Sequence, residues 1–216
     1  MKVADLPEVH AILQREFDKH PSPVVDFMAV QERDPFKILV ATILSARTKD
    51  ELTTVVVRDQ LFPEVDSIEA LRKVSLERLE KLIYPVGFFR TKAKHLKELP
   101  EALDRLYGDE IPQTIEQLCE LPGVGRKTAN LVVALAFNKP AICVDVHVHR
   151  ICNRFGLIKT KNPLQTEKAL RKILPQEYWI AWNGNLVSFG QLRCTPRNPR
   201  CEDCPVRQWC DRVGVD

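Results

Sequence analysis

Apolar residues recur at helical spacing along most of the chain. Over residues 3–17 they fall on one face of a predicted helix, and over residues 36–46 they occupy almost every face. The second pattern predicts a helix that is buried on all sides. The sequence does not predict a β-hairpin. Asn183 and Gly184 could form a tight turn, but they are not flanked on both sides by segments of alternating apolar and polar residues. The chain is therefore predicted to be all-α.

Polar residues mark where further helices begin. Asp50 is predicted to cap a helix over residues 51–60, and Thr114 and Gln117 have the spacing of a capping box. Other helices are predicted over residues 67–74, 76–83, 88–107, 115–121, 126–137, 146–155, 163–173 and 177–189. We find no internal repeat and no low-complexity segment, so the helices are expected to pack as a globular protein.

The composition is ordinary for a globular protein. Hydrophobic residues make up 44% of the 216 residues and charged residues 28%. The first residues have no apolar run after the basic Lys2, and no stretch approaches the roughly 18 apolar residues of a membrane span. We therefore expect no signal peptide, no contact with a membrane and a cytoplasmic location.

The net charge of +3 is mild, but the basic residues are unevenly distributed. Three groups contain no acid: residues 88–97 with Arg90, Lys92, Lys94 and Lys97, residues 121–130 with Arg126 and Lys127, and Arg193, Arg197 and Arg200. Such groups can face the phosphates of a nucleic acid if the fold brings them together. They can equally be solvated helix faces, and charge alone leaves both interpretations open.

Residues 121–130 combine a tight turn with two flanking helices. The turn is formed by Gly123, Val124 and Gly125, and Arg126 begins the second helix, which predicts a helix–hairpin–helix. Glycines allow the backbone to approach a phosphate closely, and the N–H groups of the turn and helix N-terminus point at the anion. A Gly-x-Gly pair alone is also compatible with a structural turn. The whole ten-residue string favours a DNA-binding motif.

Two residues are candidates for catalysis. Lys127 lies in the first turn of the second hairpin helix, where the helix dipole favours a neutral amine of the kind that forms Schiff bases. A phosphate-binding lysine is the alternative. Asp145 interrupts an apolar run, where a carboxylate must cap, pair or react. The alternative for Asp145 is an N-cap of the helix that begins at Val146, although a cap can also be catalytic.

The seven cysteines fall into two groups. Cys119, Cys143 and Cys152 stand singly in apolar surroundings and are interpreted as small buried hydrophobic residues. The other four lie within seventeen residues near the end of the chain: Cys194, Cys201, Cys204 and Cys210. Four thiolates in a short loop indicate a metal site without an open position, since each ligand place is filled. Their spacing favours an iron–sulfur cluster, with zinc as the competitor.

The hairpin string, the Val144–Asp145 segment with His147, and the cysteine spacing occur together in this order. This combination resembles the endonuclease III family of helix–hairpin–helix DNA glycosylases, over nearly the whole chain. The resemblance implies that the four cysteines hold a [4Fe–4S] cluster and that Lys127 and Asp145 are the catalytic pair. It also implies two helical domains with DNA in the cleft between them. These are a six-helix domain over residues 23–139 and a cluster domain of residues 1–22 and 140–216.

Further DNA contacts are implied by the same resemblance. Phe88 follows Gly87 where the family has a leucine that wedges into the base stack, and an aromatic ring can stack there. An ordinary core residue is the alternative for Phe88. Arg47 stands where bacterial members commonly have a glutamine that fills the space of the flipped base, which leaves the opposite-base preference open. Arg90, from the first basic group, completes the predicted DNA-binding residues.

The implied function is base-excision repair. The chain is expected to be a monomeric, nucleoid-associated glycosylase with AP lyase activity that acts on double-stranded DNA with an oxidised pyrimidine or an abasic site. A mismatch glycosylase of the same superfamily is the first alternative, and the presence of Lys127 argues against it. A non-catalytic DNA-binding or redox-sensing protein is the second, and it needs neither Lys127 nor Asp145.

Overall fold

The structure, a computed structural model, describes residues 1–20 and 33–215. These residues form eleven α-helices and no β-strand, which confirms the all-α prediction. The helices are α1 (Leu6–Asp18), α2 (Pro35–Ser45), α3 (Asp50–Val55), α4 (Ile68–Lys73), α5 (Leu76–Ile83), α6 (Phe89–Tyr107), α7 (Ile115–Leu118), α8 (Arg126–Phe137), α9 (Val146–Arg154), α10 (Pro163–Ile173) and α11 (Trp179–Leu192). Short 3₁₀ turns lie at Val3–Asp5, Gln176–Tyr178 and Arg207–Trp209, and a π-helical turn, Val56–Leu61, continues α3.

Local capping signals explain why several predicted bounds are correct. Ser75 accepts a hydrogen bond from the backbone N–H of Arg78, at 3.1 Å, and so fixes the start of α5. Asn162 accepts one from Gln165 N, at 3.0 Å, at the start of α10. Each cap is a short polar side chain directly before an apolar-periodic segment, which is why the sequence reveals it.

The cap predicted at Asp50 is wrong by one residue. Asp50 is the first residue of α3, and Lys49 occupies the N-cap position without a side-chain capping bond. A carboxylate in the first turn of a helix is favoured by the helix dipole almost as an N-cap is. The sequence pattern does not distinguish these neighbouring positions.

The chain divides into two compact units. The discontinuous unit consists of Met1–Pro23 and Pro140–Asp216, and the continuous unit consists of Val24–Lys139. The domain boundary predicted between residues 22 and 23 lies outside the described residues. The predicted domain bounds stay a prediction.

Each unit has its own apolar core. In the continuous unit α2 packs against α8, and α6 packs against α4 and α5. Every residue of α2 from Ile38 to Leu44 is buried, as the all-round apolar pattern predicted. In the discontinuous unit α1 and α9 both pack against α11, whose Trp182 is fully buried. The pair of Asn183 and Gly184 lies inside α11, so it does not form the turn of a β-hairpin.

In the described part of the chain no helix is long and apolar enough to cross a membrane.

Candidate functional site

The predicted hairpin is formed by α7, α8 and the turn between them. Gly123 has φ +74°, and a Cβ there would lie 2.8 Å from Nδ1 of His95 on α6. Only glycine fits this position easily, because both the backbone angle and the close side chain oppose a Cβ. The side chain of Val124 is buried and its N–H donates to Leu121 O at 3.2 Å. The Val124 N–H is thus bonded within the turn, and the predicted contact of Val124 with DNA stays a prediction.

Lys127 is exposed at the second position of α8. It follows Gly125, the N-cap, and Arg126, and both of these residues are also exposed. Below them the buried Asn130 donates from Nδ2 to Arg126 O at 2.9 Å, which braces the first turn of the helix. The start of α8 therefore presents a lysine and an arginine at the positive end of a helix, where an anion is favoured.

Asp145 is the N-cap of α9. Its Oδ1 accepts hydrogen bonds from His147 N at 2.8 Å and from Val148 N at 2.9 Å, so the capping interpretation is confirmed. No hydrogen bond to Oδ2 is formed within the described residues. Asp145 is partly exposed, and the two backbone bonds hold its carboxylate in one orientation. Capping therefore leaves a fixed carboxylate oxygen that can act on a substrate.

Two arginines farther along α9 hold the segment that begins the cysteine cluster. Arg150 donates from Nη2 to Cys194 O at 2.8 Å and to Gly190 O at 3.2 Å. Arg154 donates from Nη1 to Thr195 O at 2.7 Å and contacts Cys194 Sγ at 3.4 Å. The helix that Asp145 caps is therefore anchored at its other end to the first cysteine.

The four clustered cysteines line one cavity of the discontinuous unit, together with Arg154 and Phe189. The cavity thus brings together the four cysteines of the predicted ligand set. Four cysteine thiolates are the ligands that an iron–sulfur cluster takes.

An iron–sulfur cluster and a zinc site predict different contents of metal and sulfide in the purified protein. Burial raises the pKa of the Cys204 and Cys210 thiols, so metal binding must displace a proton from each. We expect about four iron and four acid-labile sulfide per chain, because a cubane cluster contains four of each. Metal analysis of protein purified without oxygen checks this expectation. One zinc and no sulfide per chain would contradict it.

The three single cysteines differ in their exposure to solvent. Cys143 and Cys152 are buried, as predicted, and burial raises the pKa of Cys152 to about 12. Cys119 is exposed, so its predicted burial is wrong. It is the C-cap residue that follows the four-residue helix α7, in which Leu118 is the buried residue.

Arg47 and Phe88, 41 positions apart in the sequence, lie together in the continuous unit. The guanidinium of Arg47 is 5.5 Å from the centre of the Phe88 ring, within the range of a cation–π contact. Phe88 is 62% exposed, which excludes the core alternative. Arg90 is exposed as well, but its guanidinium lies over the ring of Phe89, at 4.7 Å. An exposed aromatic–arginine surface therefore stands at the start of α6.

The first basic group contributes less to a phosphate-facing surface than its sequence indicates. Lys92 is buried and donates from Nζ to the carbonyls of Leu44 and Ala46, at 2.8 and 2.6 Å. Burial lowers the pKa of Lys92 to about 8. Lys97 donates to the carbonyls of Arg72 and Val74. Both lysines therefore bind helix C-terminal carbonyls, and Arg90 and Lys94 are left as the exposed cations of this group.

The comparisons with known proteins agree with this arrangement. A family model described as HhH-GPD superfamily base excision DNA repair protein matches residues 40–176. A second, described as the iron-sulfur binding domain of endonuclease III, matches residues 194–210 and so spans all four clustered cysteines. The chain is 45% identical over 181 residues to an endonuclease III of Thermotoga maritima, covering 84% of each protein.

Two solved structures are also similar. A trapped covalent intermediate of endonuclease III with DNA has a TM-score of 0.85 and 34% identity, covering 98% of this chain and 97% of that one. A thermostable thymine-DNA glycosylase has a TM-score of 0.82 at 26% identity, covering 97% and 96%. The higher identities lie with endonuclease III, so the mismatch glycosylase is not favoured.

The helix–hairpin–helix and the cysteine-lined cavity define a base-excision DNA repair enzyme of the HhH-GPD superfamily. Within that superfamily the chain belongs to the endonuclease III family. It is accordingly a DNA glycosylase with AP lyase activity, it binds DNA, and its cofactor is a [4Fe–4S] cluster.

Proposed function

We propose that this enzyme removes oxidised or ring-saturated pyrimidines from double-stranded DNA and nicks the strand, with Lys127 as nucleophile. The observation that carries the proposal is the exposed amine of Lys127 at the N-terminus of α8, next to the Gly-x-Gly turn. A phosphate bound at that turn places the amine next to the sugar of a neighbouring nucleotide. Lysine at this position also accounts for strand nicking, which a monofunctional mismatch glycosylase does not need.

The reaction begins with the damaged nucleotide outside the base stack, because the glycosidic bond is inaccessible within a duplex. Nζ of Lys127 attacks C1′ of the sugar, and the C1′–N bond breaks as the base leaves and takes up a proton. The ring oxygen of the sugar is then released and a Schiff base forms between Nζ and C1′. Loss of a proton from C2′ expels the 3′ phosphate by β-elimination and breaks the strand.

Asp145 has a separate role in this proposal. Its carboxylate stabilises the positive charge that develops on the sugar as the base leaves, and it assists transfer of protons to and from the reacting groups. The two backbone bonds to Oδ1 support this role, because a charge fixed in advance needs no reorganisation during the reaction.

The remaining predicted residues are proposed to bind DNA or the cofactor. Gly123, Gly125 and Arg126 contact the phosphate backbone, and Arg47, Phe88 and Arg90 contact the bases and backbone near the gap. Cys194, Cys201, Cys204 and Cys210 are the proposed cluster ligands. With all four ligand positions filled by cysteine, the cluster supports the fold and leaves no place for substrate. We propose that the enzyme acts as a monomer on nucleoid DNA.

The test uses four duplexes that differ at one position: thymine glycol opposite adenine, an abasic site, thymine opposite guanine, and undamaged thymine. Base release is measured by cleavage after alkali, and lyase activity by cleavage without it. We expect both on thymine glycol, lyase activity on the abasic site, and neither on the other two. Preferred release from the mismatch would support the mismatch glycosylase instead. Binding without cleavage of any duplex would overturn the proposal.

A further inference from the structure

A buried lysine joins the two segments that carry Arg47 and Phe88. Lys92, on α6, is 7% exposed. Its Nζ donates to Leu44 O at 2.8 Å, to Ala46 O at 2.6 Å and to Thr48 Oγ1 at 3.2 Å. Three acceptors satisfy all three donors of an ammonium group, which is what allows a charge to be buried. Two of the acceptors are carbonyls at the C-terminal end of α2, where the helix dipole favours a cation.

The two segments are also in direct contact. Gly87 N donates to Thr48 Oγ1 at 3.2 Å, so Thr48 accepts hydrogen bonds from both Gly87 and Lys92. A Cβ on Gly87 would lie 2.7 Å from Arg47 O, which shows how closely the two backbones approach. Lys92 and Thr48 therefore form a polar junction between the segment after α2 and the segment before α6.

Arg47 and Phe88 both have backbone angles that residues other than glycine rarely adopt. Their φ values are +55° and +59°. The left-handed conformation is unfavourable for a residue with a Cβ, and it persists only where the surroundings enforce it. The junction lies directly beside both residues, since its acceptors flank Arg47 and its donor Gly87 precedes Phe88. It is thus the structural feature that can enforce both conformations together.

We propose that Lys92 is a positioning residue that holds Arg47 and Phe88 preassembled, so that the two side chains enter the opened base stack as one unit. The inference rests on the proposed function, because it takes Arg47 and Phe88 to be the residues that enter the DNA. Ordering the pair before binding removes the entropy cost of fixing two long side chains during base flipping. Loss of Lys92 should therefore slow base release without removing any group that touches DNA.

The first part of the test examines the free protein. Lys92→Met removes the three donors and keeps a long apolar side chain. Lys97→Met is the matched control, because Lys97 also lies on α6 and donates to two carbonyls, those of Arg72 and Val74. Amide hydrogen exchange in residues 44–50 and 86–90 is expected to rise by about 10-fold or more in Lys92→Met. Lys97→Met should leave these two segments unchanged. Equal effects of the two variants would overturn the inference.

The second part is a double-mutant cycle on single-turnover base release from the thymine glycol duplex. We expect Lys92→Met to slow the wild-type enzyme about 10-fold, which corresponds to about 1.4 kcal/mol. In a background of Arg47→Ala with Phe88→Ala, Lys92→Met should have little further effect, because the residues through which it acts are absent. A lysine that only stabilises the fold would slow both backgrounds equally, and that result would overturn the inference.

Thr48→Val keeps the test informative if Lys92→Met does not fold. It removes the acceptor that Gly87 and Lys92 share and leaves the two carbonyl bonds in place, so the same effects are expected at smaller size. If the Arg47 and Phe88 double variant retains the wild-type rate, the proposed role of that pair fails, and the inference fails with it. If the double variant is slow and Lys92→Met or Thr48→Val is as fast as wild type, the inference alone fails.

Discussion

Replacing Lys127 by alanine is expected to abolish the covalent complex that borohydride traps between this enzyme and a thymine glycol duplex. The reason is that the proposed Schiff base requires a primary amine, and no other side chain is assigned that role. Strand nicking without alkali should fall by more than about 10³-fold, as is usual when a nucleophile is removed. Gel separation of the trapped adduct and of the nicked strand measures both effects.

Lys94→Ala is the control for this experiment. Lys94 is an exposed lysine of the continuous unit, so its replacement removes one positive charge without touching the covalent step. We expect its trapped adduct at the wild-type level, with at most weaker binding at high salt. A wild-type enzyme that releases the base and forms no adduct would be monofunctional, and the role of Lys127 would then be wrong.

Replacing Asp145 by asparagine is expected to slow base release by about 100-fold, within the range for loss of an acid–base group. Asparagine caps helices about as well as aspartate, and its Oδ1 can accept the same bonds from His147 N and Val148 N. The variant therefore removes the negative charge and keeps the fold. Single-turnover kinetics on the thymine glycol duplex measure the rate, and thermal unfolding measures the stability.

Asp145→Ala distinguishes the capping role from the chemical role. It should lose about 1 kcal/mol of stability with the cap, in addition to the rate that Asp145→Asn loses. If Asp145→Asn is fully active and only Asp145→Ala is impaired, the carboxylate is a structural cap and its catalytic assignment is refuted.

The structure and the sequence agree most closely where local signals act alone. The predicted spans 76–83, 126–137 and 163–173 have the same bounds in α5, α8 and α10. An apolar period and a capping residue are contained within one segment, so neither depends on how the chain folds elsewhere. The cap at Asp50 was misplaced because the N-cap and first-turn positions favour the same residue types.

The roles and the burial of single residues could be predicted only in part from the sequence. Asp145 could be a cap or a catalyst by pattern, and the structure establishes the cap by two hydrogen bonds. Cys119 was predicted to be buried with the other single cysteines. It is exposed because it follows α7, whose buried residue is Leu118.

The sequence by itself determined the helical class, the hairpin turn and the set of four cysteines, because each depends on residues close together in the chain. Only the tertiary structure decided which distant residues meet. It placed Arg47 against Phe88. It also buried Lys92, whose amine donates to the carbonyls of Leu44 and Ala46, and these residues lie 48 and 46 positions earlier in the chain. A buried lysine and a solvated one have the same local pattern. They differ only in the acceptors that the folded chain brings to the amine.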